Sequence, residues 1–170
     1  MTINKQIERA FNKQINSELY SAYLYWSMSA ALEAMNLPGF AHWMKVQAQE
    51  ELSHADKYFH YLVERGGRVL LTAIDGPPTE WKDVEVILKN VLEHEQHVTA
   101  LINGLMDLAI AENDHPSVMF LQWFVNEQVE EEAAAQNILG KLKIAGTSSP
   151  ALYMLDKEMA QRVFAPSASE

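Results

Sequence analysis

The chain has 170 residues, of which 48% are hydrophobic and 21% are charged, and its formal net charge is −10. One compact domain is the expected organisation at this length. The acidic balance argues against nucleic acid as a partner, because a phosphate backbone needs a basic protein face. The sequence contains no cysteine, which excludes disulfides, thiolate zinc sites and iron–sulfur clusters. Metal cations are the partners that best suit this charge.

The amino-terminal segment does not look like a targeting sequence. Residues 1–10 carry charges and lack the apolar stretch of a secretory signal. Farther along, the charge-free stretch 19–32 is shorter than the ~20 residues that a membrane helix needs. We therefore expect a cytoplasmic protein that binds no membrane.

Glycine and proline cluster at a few points and leave long segments of good helix formers between them. These segments predict long helices over 3–35, 39–65, 81–110 and 116–144, and a short helix over 150–163. Within the long segments, apolar residues recur every three or four positions, as they do on one face of a helix. The third segment shows this spacing in Val84, Leu88, Val91, Val98, Ile102, Leu105 and Ala109. Four amphipathic helices of this length indicate an all-α four-helix bundle.

The lengths of the links predict how the helices are connected. Short links after the first and third helices favour antiparallel neighbours. The link from Gly67 to Glu80 has 14 residues, enough to stretch roughly 45–50 Å and to run the length of the bundle. The third helix is therefore expected to run parallel to the second. We expect the bundle to occupy residues 1–146, the short helix to lie within 147–164 of the same domain, and 165–170 to form a flexible tail.

Each of the four apolar faces is interrupted by polar residues near the middle of its helix. The interruptions are Glu18 in the first helix, Glu51 and His54 in the second, Glu95 in the third, and Gln128 and Glu131 in the fourth. In a bundle of nearly equal helices, mid-helix positions lie at the same height whichever way the chains run. These side chains are therefore expected to meet.

Four buried carboxylates require compensation, because each loses hydration and all four repel one another. No lysine or arginine interrupts these faces at that height, so either protons at raised pKa or bound metal ions must compensate. Each residue alone would pass for an ordinary surface charge. The coincidence of four interruptions favours metal, and an oxygen-rich set with the single imidazole of His54 suits iron or manganese, with zinc or copper also possible.

The acidic motifs resemble those of ferritins, in particular the non-haem ferritins of bacteria and archaea. The resemblance rests on Glu18 with Tyr25, on Glu50-Glu51-Leu52-Ser53-His54, on Glu93-His94-Glu95-Gln96 and on Asn126-Glu127-Gln128-Val129-Glu130-Glu131. It covers essentially the whole chain, including the long link and the short fifth helix. It implies a ferritin-like iron storage protein with ferroxidase activity.

The resemblance also implies roles for individual residues. Glu18, Glu51 and His54 would hold one Fe(II), and Glu51, Glu95 and Glu131 a second, with Glu51 bridging the two. Dioxygen or hydrogen peroxide would be the oxidant. Gln128 would orient an oxygen ligand beside the pair, and Tyr25 would be an electron donor.

Two larger features follow from the same resemblance. Glu50, Glu127 and Glu130 would form a third iron site beside the pair, with Glu131 as an additional shared ligand. Twenty-four copies of the chain would assemble into a hollow cage that stores Fe(III) as mineral.

Departures from related patterns separate this chain from other carboxylate bundles. Ala134 stands where a second Glu-x-x-His motif would need histidine, which argues against bacterioferritin and against rubrerythrin-like or oxygenase-type centres. Leu52 stands where bacterioferritin would have a haem-ligating methionine, so no haem is expected. Lys5, Arg9 and Lys13 are too sparse to form the basic tail of a DNA-protecting mini-ferritin.

Two other functions compete with iron storage. A carboxylate-bundle oxidoreductase for an organic substrate would need a pocket onto the centre, which the bulky Trp26, Trp43 and Trp123 would either line or fill. A purely structural bundle would keep its glutamates protonated.

The fifth segment carries the apolar residues Leu152, Tyr153, Leu155, Met159 and Val163. The bundle core does not obviously need this stripe, so we expect it to be buried against other subunits. Docking on its own bundle is the alternative.

Overall fold

A computed structural model describes residues 2–146 and 149–165. These residues form α1 (Lys5–Ala34), α2 (Pro38–Glu64), α3 (Val84–Ala111), α4 (His115–Ala145) and α5 (Ser149–Met159), and the described part of the chain contains no strand. The predicted all-α fold with four long helices and a short fifth one is confirmed. The predicted tail 165–170 falls almost entirely outside the described residues.

Polar side chains at the helix starts explain where the helices begin. Asn4 accepts a hydrogen bond from the backbone N–H of Gln6 at 2.7 Å and caps α1. Asp83 accepts one from Val86 at 2.9 Å and caps α3. Because this cap fixes the first turn, α3 begins three residues later than the predicted start at 81.

The link between α2 and α3 runs lengthwise along α1. Asn12 bonds the backbone of Leu70, Asn16 bonds the Thr72 hydroxyl at 2.9 Å, and Ser27 bonds the Pro78 carbonyl at 2.6 Å. Successive link residues therefore meet successive turns of α1, in the direction of α1. Because α2 runs against α1, the link returns to the end of the bundle where α2 began, and α3 runs parallel to α2.

The apolar core consists of two clusters. Tyr25, Met44, Leu88 and Leu139 belong to one cluster, together with the residues around them in all four long helices. Phe11, Tyr58, Ile102 and Phe124 belong to the other. On each helix, the polar interruptions fall between the residues of the two clusters, so the fold encloses a polar layer between two apolar halves.

The fifth helix docks on its own bundle. Leu155 and Met159 are buried in the cluster formed by the long helices, whereas Tyr153, Met154 and Val163 are exposed. The expectation that this apolar face is buried against other subunits is therefore wrong for Leu155 and Met159, which pack on their own bundle. The helix also ends at Met159, four residues before the predicted end at 163.

A close contact between backbones fixes the position of α5 on α2. A Cβ atom on Gly39 would lie 1.7 Å from the carbonyl oxygen of Asp156, so only glycine permits this approach. At the same point, Asp156 accepts a hydrogen bond from the backbone N–H of Phe40 at 2.9 Å. Leu37, the N-cap residue of α2, provides no side-chain cap, so α5 supplies the cap instead.

None of the helices in the described part of the chain combines the length and the apolar character required to cross a bilayer.

Candidate metal centre

The polar interruptions of the four helices converge in the middle of the bundle. Glu18, Glu51 and Glu95 are 1%, 2% and 1% exposed, and His54 and Glu131 are buried beside them. Oxygen atoms of Glu18 and Glu51 and a ring nitrogen of His54 all lie within 4.8 Å of one another. A second group with the same property consists of His54, Glu127 and Glu131. The mid-helix positions therefore meet, as the sequence predicts.

Two glutamine side chains orient the glutamates. Gln14 donates from Nε2 to Glu18 Oε1 at 2.8 Å, and Gln47 donates from Nε2 to Glu131 Oε2 at 2.7 Å. Both amides lie on the interrupted faces, four residues before Glu18 and Glu51, but they are not among the predicted site residues. For Gln14, its position one helical turn before Glu18 is the signal that identifies it as a support. Gln47 bonds a glutamate of another helix, so spacing within α2 gives no such signal.

Glu95 is held by donors from two other helices. The Tyr25 hydroxyl, fully buried, donates to Oε1 of Glu95. Gln128 donates from Nε2 toward Oε2 at 3.3 Å and toward the Glu95 carbonyl at 3.2 Å. Its amide also approaches the Thr99 hydroxyl at 3.3 Å. Tyr25 and Gln128 thus touch the same carboxylate from opposite helices.

Packing of its ring orients His54. Trp123 and Phe124 meet the ring edge-on, with centroids 5.5 and 5.9 Å away. The Nδ1 atom lies 3.3 Å from Glu51 Oε2, and Nε2 lies 4.0 Å from Glu127 Oε1. The imidazole is therefore held between two carboxylates from α2 and α4.

Burial and mutual repulsion dominate the electrostatics of the centre. Loss of hydration, followed by the charge of Glu51, raises the pKa of Glu18 to about 8. Loss of hydration, followed by the charge of Glu95, raises the pKa of Glu131 to about 8. The pKa of Glu51 is also raised well above its ordinary value, by the same two effects. The arrangement therefore favours cations at its middle, either protons or metal ions.

One atom shows that hydrogen bonds within the protein do not satisfy the centre. Oε2 of Glu18 is buried and has no hydrogen-bond partner. Buried polar atoms in native proteins are almost always paired, so an unpaired carboxylate oxygen among other carboxylates suits a cation ligand. The donor set of carboxylate oxygens and one imidazole suits Fe(II).

The residues expected to form the third iron site lie at the edge of the centre. Glu50 is half-buried and ion-paired with Arg162, which follows α5. Glu127 is 28% exposed in its side chain, and Glu130 is exposed. Burial raises the pKa of Glu50, and the charge of Glu127 adds a smaller increase. Sequence reasoning does not anticipate the ion pair with Arg162.

The three tryptophans considered for a substrate pocket occupy different surroundings. Trp43 is buried under Arg162, Trp123 packs on His54, and Trp26 is exposed. A groove of about 450 Å³ does run between α3 and α4. Gln128 forms part of its lining and also bonds Glu95, so its amide lies between the groove and the carboxylates.

Comparison with known proteins agrees with the geometry. The ferritin-like domain family matches residues 8–145. A bacterial non-heme ferritin of Bacteroides fragilis is 43% identical over 160 residues, covering 94% of this chain and 99% of that protein. One of Escherichia coli O157:H7 is 38% identical over 149 residues, covering 88% and 90%.

Solved structures give the same result. An open pore ferritin of the hyperthermophilic archaeon Archaeoglobus fulgidus is 47% identical, with a TM-score of 0.94 and coverage of 96% of this chain and 100% of that one. A ferritin of the same organism engineered into a closed form is 48% identical, with a TM-score of 0.95 and the same coverage. With its buried ring of carboxylates and these relatives, the chain belongs to the ferritin family and resembles the non-haem ferritins of bacteria and archaea.

Proposed function

We propose that this protein stores iron, and that its buried centre is a ferroxidase site whose substrates are Fe(II) and dioxygen or hydrogen peroxide. The observation that carries the proposal is the ring of buried carboxyl groups around the unpaired oxygen of Glu18. Two divalent ions would balance the four charges of Glu18, Glu51, Glu95 and Glu131. Two Fe(II) held side by side deliver two electrons to one oxidant molecule.

Glu51 is the bridging ligand in this proposal. Glu18 and His54 complete the set for one Fe(II), and Glu95 and Glu131 complete the set for the other. Two features support the assignment: Glu18 and His54 lie within 4.8 Å of Glu51, and the charges of Glu95 and Glu131 raise the pKa of Glu51 after burial itself.

The neighbouring side chains have supporting roles. Gln128 orients an oxygen ligand beside Glu95. Tyr25, which donates to the same carboxylate, is the proposed one-electron donor: its electron and one from Fe(II) at the third site would join the two from the Fe(II) pair and complete the four-electron reduction of dioxygen to water. Glu50, Glu127 and Glu130 form a third, weaker iron site on the way out of the centre, with Glu131 as an additional shared ligand. The contact between Glu127 and His54 supports the placement of this third site beside the centre.

Substitution of the bridging glutamate tests the ferroxidase assignment. Glu51→Ala removes a ligand to both ions, so the rapid absorbance rise on mixing anaerobic protein–Fe(II) with dioxygen should be lost. Stopped-flow spectroscopy measures this rise. Glu64→Ala, an exposed residue at the end of the same helix, is the matched control and should oxidise iron normally. An unchanged burst in Glu51→Ala would rule the assignment out.

The third site predicts a different kinetic phenotype. Glu130→Ala leaves both ligand sets of the pair intact, so the initial oxidation rate should stay within about twofold. The number of Fe(II) oxidised per subunit, or the turnover after the first burst, should change instead. Stopped-flow traces at increasing Fe(II) per subunit check this. A loss of the first burst would contradict the assignment of Glu130 to the third site rather than to the two-iron centre.

An oxidoreductase for an organic substrate is the second candidate, and the groove between α3 and α4 is the feature that favours it. Its volume is within the range of small-molecule pockets. Gln128 and Thr99 stand between this groove and the carboxylates, however, so a substrate would have to displace them to reach the centre. Iron storage needs no such rearrangement.

A further inference from the structure

The segment that follows α5 returns along α2 and brings Arg162 to the edge of the metal centre. The guanidinium lies 4.2 Å from the centroid of the Trp43 ring and donates to Gln47 Oε1 at 2.7 Å. It also forms an ion pair with Glu50. His42 bonds the Arg162 carbonyl at 2.8 Å. Four contacts along two turns of α2 therefore fix this one arginine.

The fold, rather than local sequence, sets this position. Leu155 and Met159 bury α5 in the bundle, and the contact between Gly39 and Asp156 fixes its approach to α2. Arg162 follows only three residues after the helix ends. Its side chain can therefore reach Glu50 only while α5 is docked.

The ion pair uses the same carboxylate that the third iron site requires. The side chains of Arg162 and Glu50 are 21% and 20% exposed, so solvent screens their attraction only in part. A carboxylate already neutralised by a guanidinium attracts a metal cation less strongly than a free one. Gln47 accepts a hydrogen bond from the Arg162 guanidinium and donates one from its own amide to Glu131. Through Gln47, Arg162 is therefore connected to a ligand of the proposed two-iron centre.

We propose that Arg162 is a resident cation of the third site, and that Fe(II) binds Glu50 only by displacing its guanidinium. Arg162 is thus a positioning residue: it holds Glu50 and keeps the third site weaker than the two sites of the centre. Iron that reaches Glu50 can then leave again, because the guanidinium is available to replace it. The inference rests on the proposed function, since it presupposes a third iron site.

Arg162→Gln tests the proposal by removing the charge while keeping a polar side chain. Titration calorimetry of the assembled, metal-free protein with anaerobic Fe(II), and separately with redox-inert Zn²⁺, counts the binding events per subunit. We expect the weakest event to tighten about tenfold in Arg162→Gln, the size of effect expected for a partly buried, charge-assisted pair. The two tighter events should stay within about twofold.

Three further variants make the test specific. Arg162→Met keeps the length that packs on Trp43 and should behave like Arg162→Gln, whereas Arg162→Lys restores a cation and should shift the third event back toward wild type. Arg9→Gln removes an exposed positive charge from α1, and it controls for the change in net charge. Unchanged or weaker third-site binding in Arg162→Gln and Arg162→Met would overturn the inference.

The two proposals fail in different ways. If wild-type protein shows no tight binding of Fe(II) or Zn²⁺, the ferroxidase centre itself is refuted. If wild type binds two ions tightly and the arginine variants leave a weaker third event unmoved, only the role of Arg162 is refuted. Circular dichroism of each variant shows whether the helices are retained.

Discussion

Burial and neighbouring carboxylates make ionisation of Glu18 and Glu131 unfavourable in the folded protein. Each is buried, and each has a folded-state pKa raised to about 8 from an ordinary value of 4.5. When folding raises the pKa of a carboxyl group, the free energy of unfolding is greatest at a pH low enough to protonate that group in both the folded and the unfolded chain. This stabilisation is present below pH 4.5 and is lost as the pH rises through about 8.

The metal-free protein should therefore lose stability over this pH range. Each of the two groups lowers the free energy of unfolding by roughly 1 kcal/mol per pH unit within the window. Urea denaturation in the presence of a chelator, followed by circular dichroism, measures the trend. The double variant Glu18→Gln/Glu131→Gln cannot ionise at these positions and should show a flatter profile. Parallel profiles for the two proteins would contradict the pKa assignment.

The same raised pKa values predict proton release on metal binding. Near pH 7 the carboxyl groups of Glu18 and Glu131 are largely protonated in the metal-free state, and a metal ligand must be deprotonated. Zn²⁺ titrations in buffers of different ionisation enthalpy should show at least one proton released per subunit. The same double variant should release fewer, and equal release by both proteins would count against these groups as ligands.

Helix α2 depends on a cap that comes from another element. Asp156 of α5 bonds the N–H of Phe40, and the N-cap residue Leu37 offers no side chain for this purpose. Asp156→Ala should lower the free energy of unfolding by about 1–2 kcal/mol, because a buried N–H loses its charged acceptor. Chemical denaturation measures the change, with exposed Asp107→Ala of α3 as control. Equal stability of the two variants would show that α5 does not cap α2.

The lengthwise link depends on α1 in a comparable way. Asn12 accepts from the Leu70 N–H at 2.6 Å and donates to the Arg68 carbonyl at 2.9 Å. Asn12→Ala removes both bonds, so the Leu70 amide should exchange its hydrogen at least ten times faster. Hydrogen exchange read by mass spectrometry detects this, and exposed Asn137→Ala of α4 should leave residues 68–70 protected. An unchanged rate would mean that other contacts hold the link.

At the scale of the whole molecule, we expect the chains to assemble into a cage of twenty-four. Exposed apolar residues of the link and of α1, including Leu70, Leu71 and Trp26, provide surface for contacts between chains. Size-exclusion chromatography with light scattering should give a mass about two dozen times 19.3 kDa. Electron microscopy after aerobic iron loading should show mineral-filled shells. A monomer or dimer would favour the oxidoreductase instead.

The centre itself could be predicted from the sequence to an unusual extent. Glu18, Glu51, His54, Glu95 and Glu131 interrupt apolar faces, and periodicity alone identifies such interruptions. The supporting amides Gln14 and Gln47 lie on the same faces, but their partners depend on rotamers and neighbouring helices. Glu131 is bonded by Gln47 from another helix, and no spacing within either helix signals that bond.

The amino-acid sequence by itself determined the four helices, the lengthwise link and the height at which polar groups meet. These follow from local periodicity, turn residues and chain length, which act between neighbours along the chain. Only the tertiary structure decided that α5 docks on its own bundle, that Asp156 caps α2 and that Arg162 neutralises Glu50. The contacts of Asp156 and Arg162 join residues more than a hundred positions apart, and burial and charge complementarity select them only once the helices have packed.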